Sequence, residues 1–357
     1  MKQFELSTSR QKSTQIVIGT EIFANQIEII KNNFGSSCLI IIDEHVHKLY
    51  PFVFETIKSN YAKHTLCIIP SGEKSKSLTQ FNDIMNVALN AGVKRNTVVY
   101  AIGGGVTGDL AGFVASSLLR GLPLVHIPTT LLAMVDSSIG GKTGINHDSG
   151  KNLIGAFYQP ELIVMDVDFL KTLPQKEWNC GVGEILKYGC ISDQTILDDI
   201  SKGIDKLDQT ELLDLIFRCA KIKSDIVMQD ELESGNRAFL NFGHTFAHAL
   251  ESFTKYQRFA HGEAVFVGLI AATWLSNKNG ANLNMDKLLS QRETFNLQVS
   301  DLLEHIDELT DAMMNDKKVT GDLLRLIILS DWESPNVTEV TDLSVVHDSW
   351  KFALSHI

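Results

Sequence analysis

The sequence predicts an α/β chain in two parts: a parallel sheet covered by helices over residues 1–173, then a mainly helical part over residues 174–357. Three observations lead there. The first half alternates short β-branched runs with helical stretches, as βα units do. From Pro174 onward the apolar residues recur at three- and four-residue steps. A chain of 357 residues also exceeds what one hydrophobic core usually holds.

The strands are expected at residues 16–19, 38–43, 65–70, 97–105, 123–130 and 162–168. These runs are apolar without strict alternation, the pattern of strands covered on both faces. In the second half, Leu212, Leu215, Ile216, Cys219, Ile222 and Ile226 mark one stripe of a helix within residues 210–230, and LLRLIIL at 323–329 reads as a single strand. An apolar fraction of 44% with 21% charged residues fits a folded soluble protein, and no apolar run reaches the length of a membrane span. The N-terminus lacks the apolar core and small-residue cleavage site of a secretory signal, so a cytoplasmic protein is expected. Cys38, Cys67, Cys180, Cys190 and Cys219 are odd in number and widely spaced, which argues for core residues over a disulfide framework. A net charge of −11 opposes binding to nucleic acid or anionic membranes, so an anionic substrate needs a local cluster of cations.

Four groups of residues carry the chemistry. The stretch TVVYAIGGGVTGDLAG sets Gly103, Gly104 and Gly105 between a strand and a helix, where a pyrophosphate meets free N–H groups and a favourable dipole. A tight turn explains the same glycines, and the pattern is not GxGxxG. Asp43 ends an earlier strand, where a doubly wound sheet often places a ribose-binding acid. Residues 128–160 read as a structured but irregular loop whose Lys142 and Lys151 each follow a glycine; they suit phosphate or carboxylate, or are ordinary surface lysines.

The third group is of metal type. His244 and His248 stand four apart on one helical face, and His261 opens a strongly apolar helix. Glu184 and Lys187 share a face of another. Inward histidines and a carboxylate need partners, which a divalent cation supplies; two histidines and one glutamate leave positions open, as at a catalytic zinc. Core or surface histidines are the plain alternative. Fourth come the cations. Lys223 lies on the edge of a buried stripe and should meet an anion. Arg237 and Asn241 share a face with His244 if that helix begins early, and Arg120 is a loop charge or a phosphate ligand.

Taken in order, GGGVTGDLAG, RG, PTTLLAMVDSSIGGKTGINHDSGKNLIGAFYQP, EILKYG, ESGNRAFLNFGHTFAHALE and HGEAV resemble the 3-dehydroquinate synthase family over about residues 40 to 275. The resemblance implies a Rossmann-like N-terminal domain, an all-helical C-terminal domain and an active site in the interdomain cleft. It implies NAD, a zinc or cobalt ion and a homodimer, and a phosphorus–oxygen lyase that converts 3-deoxy-D-arabino-heptulosonate 7-phosphate to 3-dehydroquinate and phosphate in the shikimate pathway. In that reaction NAD takes hydride from the substrate, phosphate is eliminated, the hydride returns, and an intramolecular aldol step closes the ring. The metal ligands it implies are Glu184, His244 and His261. For NAD it implies Asp43, the segment Ser71, Gly72, Glu73, Lys74, Ser75 and Lys76, the loop Gly104, Gly105, Val106, Thr107, Gly108 and Asp109, then Thr129, Thr130, Asp136, Lys142, Lys151, Phe169, Leu170, Lys171 and Thr172. Substrate-binding or catalytic positions are Lys142, Asn152, Lys187, Lys223, Arg237, Asn241 and His248, with Arg120 on the phosphate and a late lysine at Lys317 or Lys318. Ala247 and Leu118 depart from the commoner family pattern. Other sugar-phosphate cyclases and the iron-type polyol dehydrogenases are the rival readings; the intact GGKTG, GKN and RAFLN motifs and the absence of a lysine after GDLA favour the synthase.

Overall fold

Each apolar run of the first half forms a strand in the computed structural model, which describes residues 13–233, 235–316 and 324–357. In chain order these are β1 (Gln15–Gly19), β2 (Ser37–Asp43), β3 (Lys63–Ile69), β4 (Val98–Gly103) and β5 (Leu124–Pro128). A hairpin of β6 (Lys142–His147) and β7 (Gly150–Phe157) follows, and then β8 (Leu162–Asp166). The main sheet has six strands in the order β1-β8-β5-β4-β2-β3, all parallel. Its inner strands β4, β5 and β8 are buried at every position, which is why their sequences show no alternation. The helix Gly105–Ser117 packs Leu110, Ala111 and Val114 into a core with Val99, Ala101 and Leu124.

The strand order reverses between β2 and β4. Chain connections leave this pair in opposite directions, so the loops at their carboxyl ends diverge and open a crevice there. Asp43 and the glycine run stand at those two ends, with Ile42 in register with Ile102.

Residues 128–160 are more regular than their composition predicts. A short π-helical turn, Ala133–Ser137, precedes the β6–β7 hairpin, which is antiparallel with an irregularity between Ile145 and His147. The strands approach so closely that a Cβ on Gly155 would lie 2.1 Å from the Thr143 carbonyl oxygen. The glycines that permit this pairing are the residues that hide it from a propensity reading.

The chain packs as two units, one reaching Thr129 and including Gly140–Asp168, the other made of Thr130–Ile139 and Phe169–Ile357. The break after Asp168 falls shortly before the expected 173/174, and the π-helical turn belongs with the helical unit. That unit is built on helices Gln175–Ile191, Gln209–Gln229, His244–Phe253, His261–Lys278, Ile306–Asp316 and Leu343–His356. Asp208 and Glu211 form a capping box at the start of Gln209–Gln229, satisfying N–H groups that would otherwise lack partners. The strand expected at 323–329 is β9 (Leu324–Leu329), and it has an antiparallel partner, β10 (Pro335–Val340), that the apolar pattern does not reveal. All five cysteines are buried and free. Among the described residues no helix is long and apolar enough to cross a membrane.

Candidate active site

Glycines bring the metal-type residues together. A Cβ on Gly183 would lie 2.5 Å from the Gly262 carbonyl oxygen, and one on Gly262 would lie 2.3 Å from that of Asn179. Helices Gln175–Ile191 and His261–Lys278 therefore touch backbone to backbone, and the next side chains along, Glu184 and His261, meet. Further up the second helix, a Cβ on Gly268 would fall 2.1 Å from the Gly243 carbonyl oxygen. Gly243 adopts a left-handed φ of 77° and turns the chain directly into His244. That helix does not begin early: Arg237 and Asn241 lie on a separate 3-10 turn, Asn236–Asn241. The condition that would have put them on the face of His244 is not met.

Glu184 Oε1 lies 3.1 Å from Nε2 of both His244 and His261, and one ligand atom from each residue falls within 4.8 Å of the others. His248 is not part of this group, although its ring centroid is 5.7 Å from that of His244. Nδ1 of His244 lies 3.2 Å from the Phe242 carbonyl oxygen, and Nδ1 of His261 lies 3.3 Å from Glu251 Oε1. A carbonyl and a carboxylate only accept, so both are placed to hold a proton on the Nδ1 of their imidazole. In neutral rings each Nε2 then turns a lone pair toward Glu184, which also offers only lone pairs. Three converging acceptors in a buried place call for a cation, and one oxygen with two nitrogens is a donor set that suits zinc or a similar ion with positions left open. Without such an ion a proton takes its place: burial disfavours the charge on His261, but Glu184 and Glu251 outweigh it and hold that imidazole up at about 10. For His244 burial wins and the shift is downward.

Lys187 links this group to a second one. Its ammonium pairs with Glu184 and lies 3.5 Å from Asp136 Oδ1. Lys223 donates to the Asp136 carbonyl oxygen at 2.7 Å and lies 2.9 Å from Oδ1 of the same residue, so the buried ammonium has the anion its position demands. Tyr188 donates to that oxygen at 2.6 Å. Burial works to raise the Asp136 carboxyl, but Lys223 and Lys187 outweigh it and hold the group well below the usual carboxylate range. Lys187 is likewise kept charged, since Glu184 and Asp136 overcome its burial, whereas burial lowers Lys223. Arg237 is 2% exposed; its guanidinium donates to the Glu231 carbonyl and its N–H to Asp230, while Asn241 donates to Glu233 at 3.0 Å.

In the sheet unit, Gly104 and Gly105 begin the helix that carries Val106, Thr107, Gly108 and Asp109, and no side chain caps it, which leaves its first N–H groups for a ligand. Gly103 has no room for a Cβ, which would lie 2.5 Å from Thr107 Oγ1. Asp43 caps the next helix, accepting from His45 and Val46, and also accepts from Ser71 at 2.8 Å. Lys76 pairs with Asp109 at 2.6 Å and donates to Asn152, and Asn146 joins Glu73 to this network at 2.8 Å. Ser75 donates to the Pro70 carbonyl, Gly72 takes φ 100°, and Lys74 is exposed. Thr129 is buried in the sheet unit, with its N–H on the Gly103 carbonyl. Lys142 and Asn152 are exposed on the hairpin and Lys151 is half-buried, whereas Arg120 is exposed in a turn at φ 67°.

In the helical unit, Thr130 caps the π-helical turn through the Ala133 N–H. Phe169 and Leu170 are buried, and Lys171 and Thr172 are exposed. Lys317 and Lys318 lie outside the described residues. The sequence alone does not single out Tyr188 or Glu251. Glu251 was detectable: it follows His244 by two turns on the same helical face.

The protein-family model for the 3-dehydroquinate synthase N-terminal domain matches residues 66–180, and the C-terminal model matches residues 181–319. A 3-dehydroquinate synthase of Neisseria meningitidis serogroup B is 38% identical over 340 residues, which is 94% of this chain and 95% of that relative. The chain belongs to the 3-dehydroquinate synthase family. It is accordingly an enzyme, a lyase of that family's kind. The boundary between the two family models falls inside the helix that carries Glu184. The fold is shared with 2-epi-5-epi-valiolone synthase from Streptomyces hygroscopicus subsp. jinggangensis 5008, a structure with NAD+ and Zn2+ bound, at a TM-score of 0.86 and 23% identity, covering 99% of this chain and 100% of that one. A 2-deoxy-scyllo-inosose synthase complexed with carbaglucose-6-phosphate, NAD+ and Co2+ matches at a TM-score of 0.82 and 24% identity, covering 96% and 97%.

Proposed function

We propose that this chain converts 3-deoxy-D-arabino-heptulosonate 7-phosphate to 3-dehydroquinate and phosphate, with Glu184, His244 and His261 holding a divalent zinc or cobalt ion and the loop Gly104–Asp109 holding NAD. The observation that carries the reading is the set of three acceptor atoms, two buried and that of His261 half-buried, with both Nδ1 positions already engaged, one ion pair away from Lys187. When bound, the metal acidifies and orients substrate hydroxyls, and NAD removes and returns one hydride.

The remaining work falls to the side chains. Lys187 and Lys223 are balanced by Glu184 and Asp136, so a bound divalent cation leaves a positive surplus for an anionic sugar phosphate. Lys142, Lys223 and Arg237 hold the phosphate as it leaves, with Arg120 on it as well, and Asn152 and Asn241 bind the substrate. His248, near His244 but outside the ligand set, moves a proton at the reacting centre. Asp43, Glu73, Lys76, Thr129, Thr130, Asp136, Lys151 and Phe169–Thr172 complete the dinucleotide site. The enzyme acts in the cytoplasm as a homodimer, with the shikimate pathway as its setting.

Purified protein supplied with NAD, Co2+ and the heptulosonate phosphate is expected to release one phosphate per substrate with no net NADH. Steady accumulation of NADH at 340 nm would instead favour the polyol dehydrogenase reading. Release from glucose 6-phosphate but not from the heptulosonate would favour a sibling cyclase.

A further inference from the structure

We infer that Glu251 is a positioning residue of the metal site, fixing His261 in the tautomer and orientation that a cation requires. This rests on the metal reading above. A neutral imidazole has one N–H and one lone pair. If the proton sat on Nε2 of His261, it would bond Glu184 and the ring would offer the cation nothing. Glu251 Oε1, 3.3 Å from Nδ1, is an acceptor and so draws the proton to the far side of the ring. The carboxylate is 6% exposed, and burying such a group is costly unless it is bonded; its bond to His261 is part of what compensates.

The placement follows from the helix. Glu251 sits on the helix that begins with His244, two turns further along the same face, so one rigid element supplies a ligand directly and orients the other. The same helix start is fixed by the contact between Gly243 and Gly268 on the helix of His261. The two histidines differ in one respect. His244 is held by the Phe242 carbonyl, which no side-chain substitution removes, whereas His261 depends on a side chain that can be changed.

The test titrates Co2+ into metal-free protein against a chelator and records the visible absorption of the bound ion. Glu251→Ala is expected to weaken Co2+ binding by about 10- to 100-fold and to alter the absorption bands. Glu251→Gln, which keeps an acceptor oxygen, should restore the bands and part of the affinity. Wild-type affinity and bands in Glu251→Ala overturn the inference, since a carboxylate that merely supports the fold would lower the melting temperature of metal-free protein and leave coordination alone. If the alanine variant does not fold, Glu251→Asp decides: its shorter carboxylate withdraws from Nδ1, so at least a tenfold loss is expected, and no loss overturns the inference. Glu184→Ala separates the two levels. Should it keep the ion, the metal reading itself fails; should it lose the ion while Glu251→Ala keeps it, only the role of Glu251 fails.

Discussion

The ligand cluster of the helical unit and the polar cluster of the sheet unit use similar residue types under different conditions. In the helical unit Glu184 and Lys187 are 1% and 2% exposed, on one helix pressed through glycines against the helix of His261. In the sheet unit Lys76 is equally buried, but its partners Asp109 and Glu73 are 22% and 42% exposed, and Asn146 and the backbone share the load. Water can replace a lost partner in the second case but not within the Glu184–Lys187 pair of the first. A buried ion pair is weak support for stability as a pair, yet removing one member strands the other. The helical cluster is thus a place where a ligand or a partner is obligatory, and the sheet cluster one where a ligand can be exchanged.

The sharpest way to break this contrast is Glu184→Ala. It leaves Lys187 without its closest anion and two imidazoles without a shared acceptor, so a stability loss of about 3–5 kcal/mol is expected together with loss of bound metal. Denaturant titration and metal analysis of the purified variant check both; full metal content at unchanged stability would remove the distinction. Gly262→Ala comes next. Its Cβ would lie 2.3 Å from the Asn179 carbonyl oxygen, backbone that cannot step aside, so about 1–3 kcal/mol should be lost and the spacing of Glu184 and His261 disturbed. A shifted urea midpoint with weakened Co2+ binding is the expected pair of readings, and a variant equal to wild type in both would mean the helix contact does not set the site. The smallest effect is expected in the sheet unit. Asp43→Ala removes a helix cap and an acceptor for Ser71, costing about 1 kcal/mol. If Asp43 also holds the ribose, NAD affinity measured by fluorescence falls as well; a stability loss with unchanged affinity would leave Asp43 a cap alone.

Much of this was legible beforehand for identifiable reasons. The inner strands β2, β4, β5 and β8 were visible because strands buried on both faces are continuous apolar runs. Lys223 was expected to meet an anion because a lysine on a buried stripe must, but nothing local pointed to Asp136 as that anion. The β6–β7 hairpin and β10 escaped because glycine, proline and alternating exposed positions depress the strand signal. The early start imagined for the histidine helix failed at Gly243, whose left-handed backbone allows a sharp entry that periodicity does not encode.

By itself, then, the order of residues determined which segments are sheet and which are helix, which side chains turn inward, and, through its motifs, the family. Those properties depend on local periodicity and on residue chemistry. Only the tertiary structure decided that Glu184 Oε1 stands between two Nε2 atoms, that Lys187 joins that group to Asp136, and that Glu251 backs His261. Most of those contacts join separate elements, and they depend on glycines where a Cβ would lie 2.1–2.5 Å from a backbone oxygen, a fit that exists only when backbones pack.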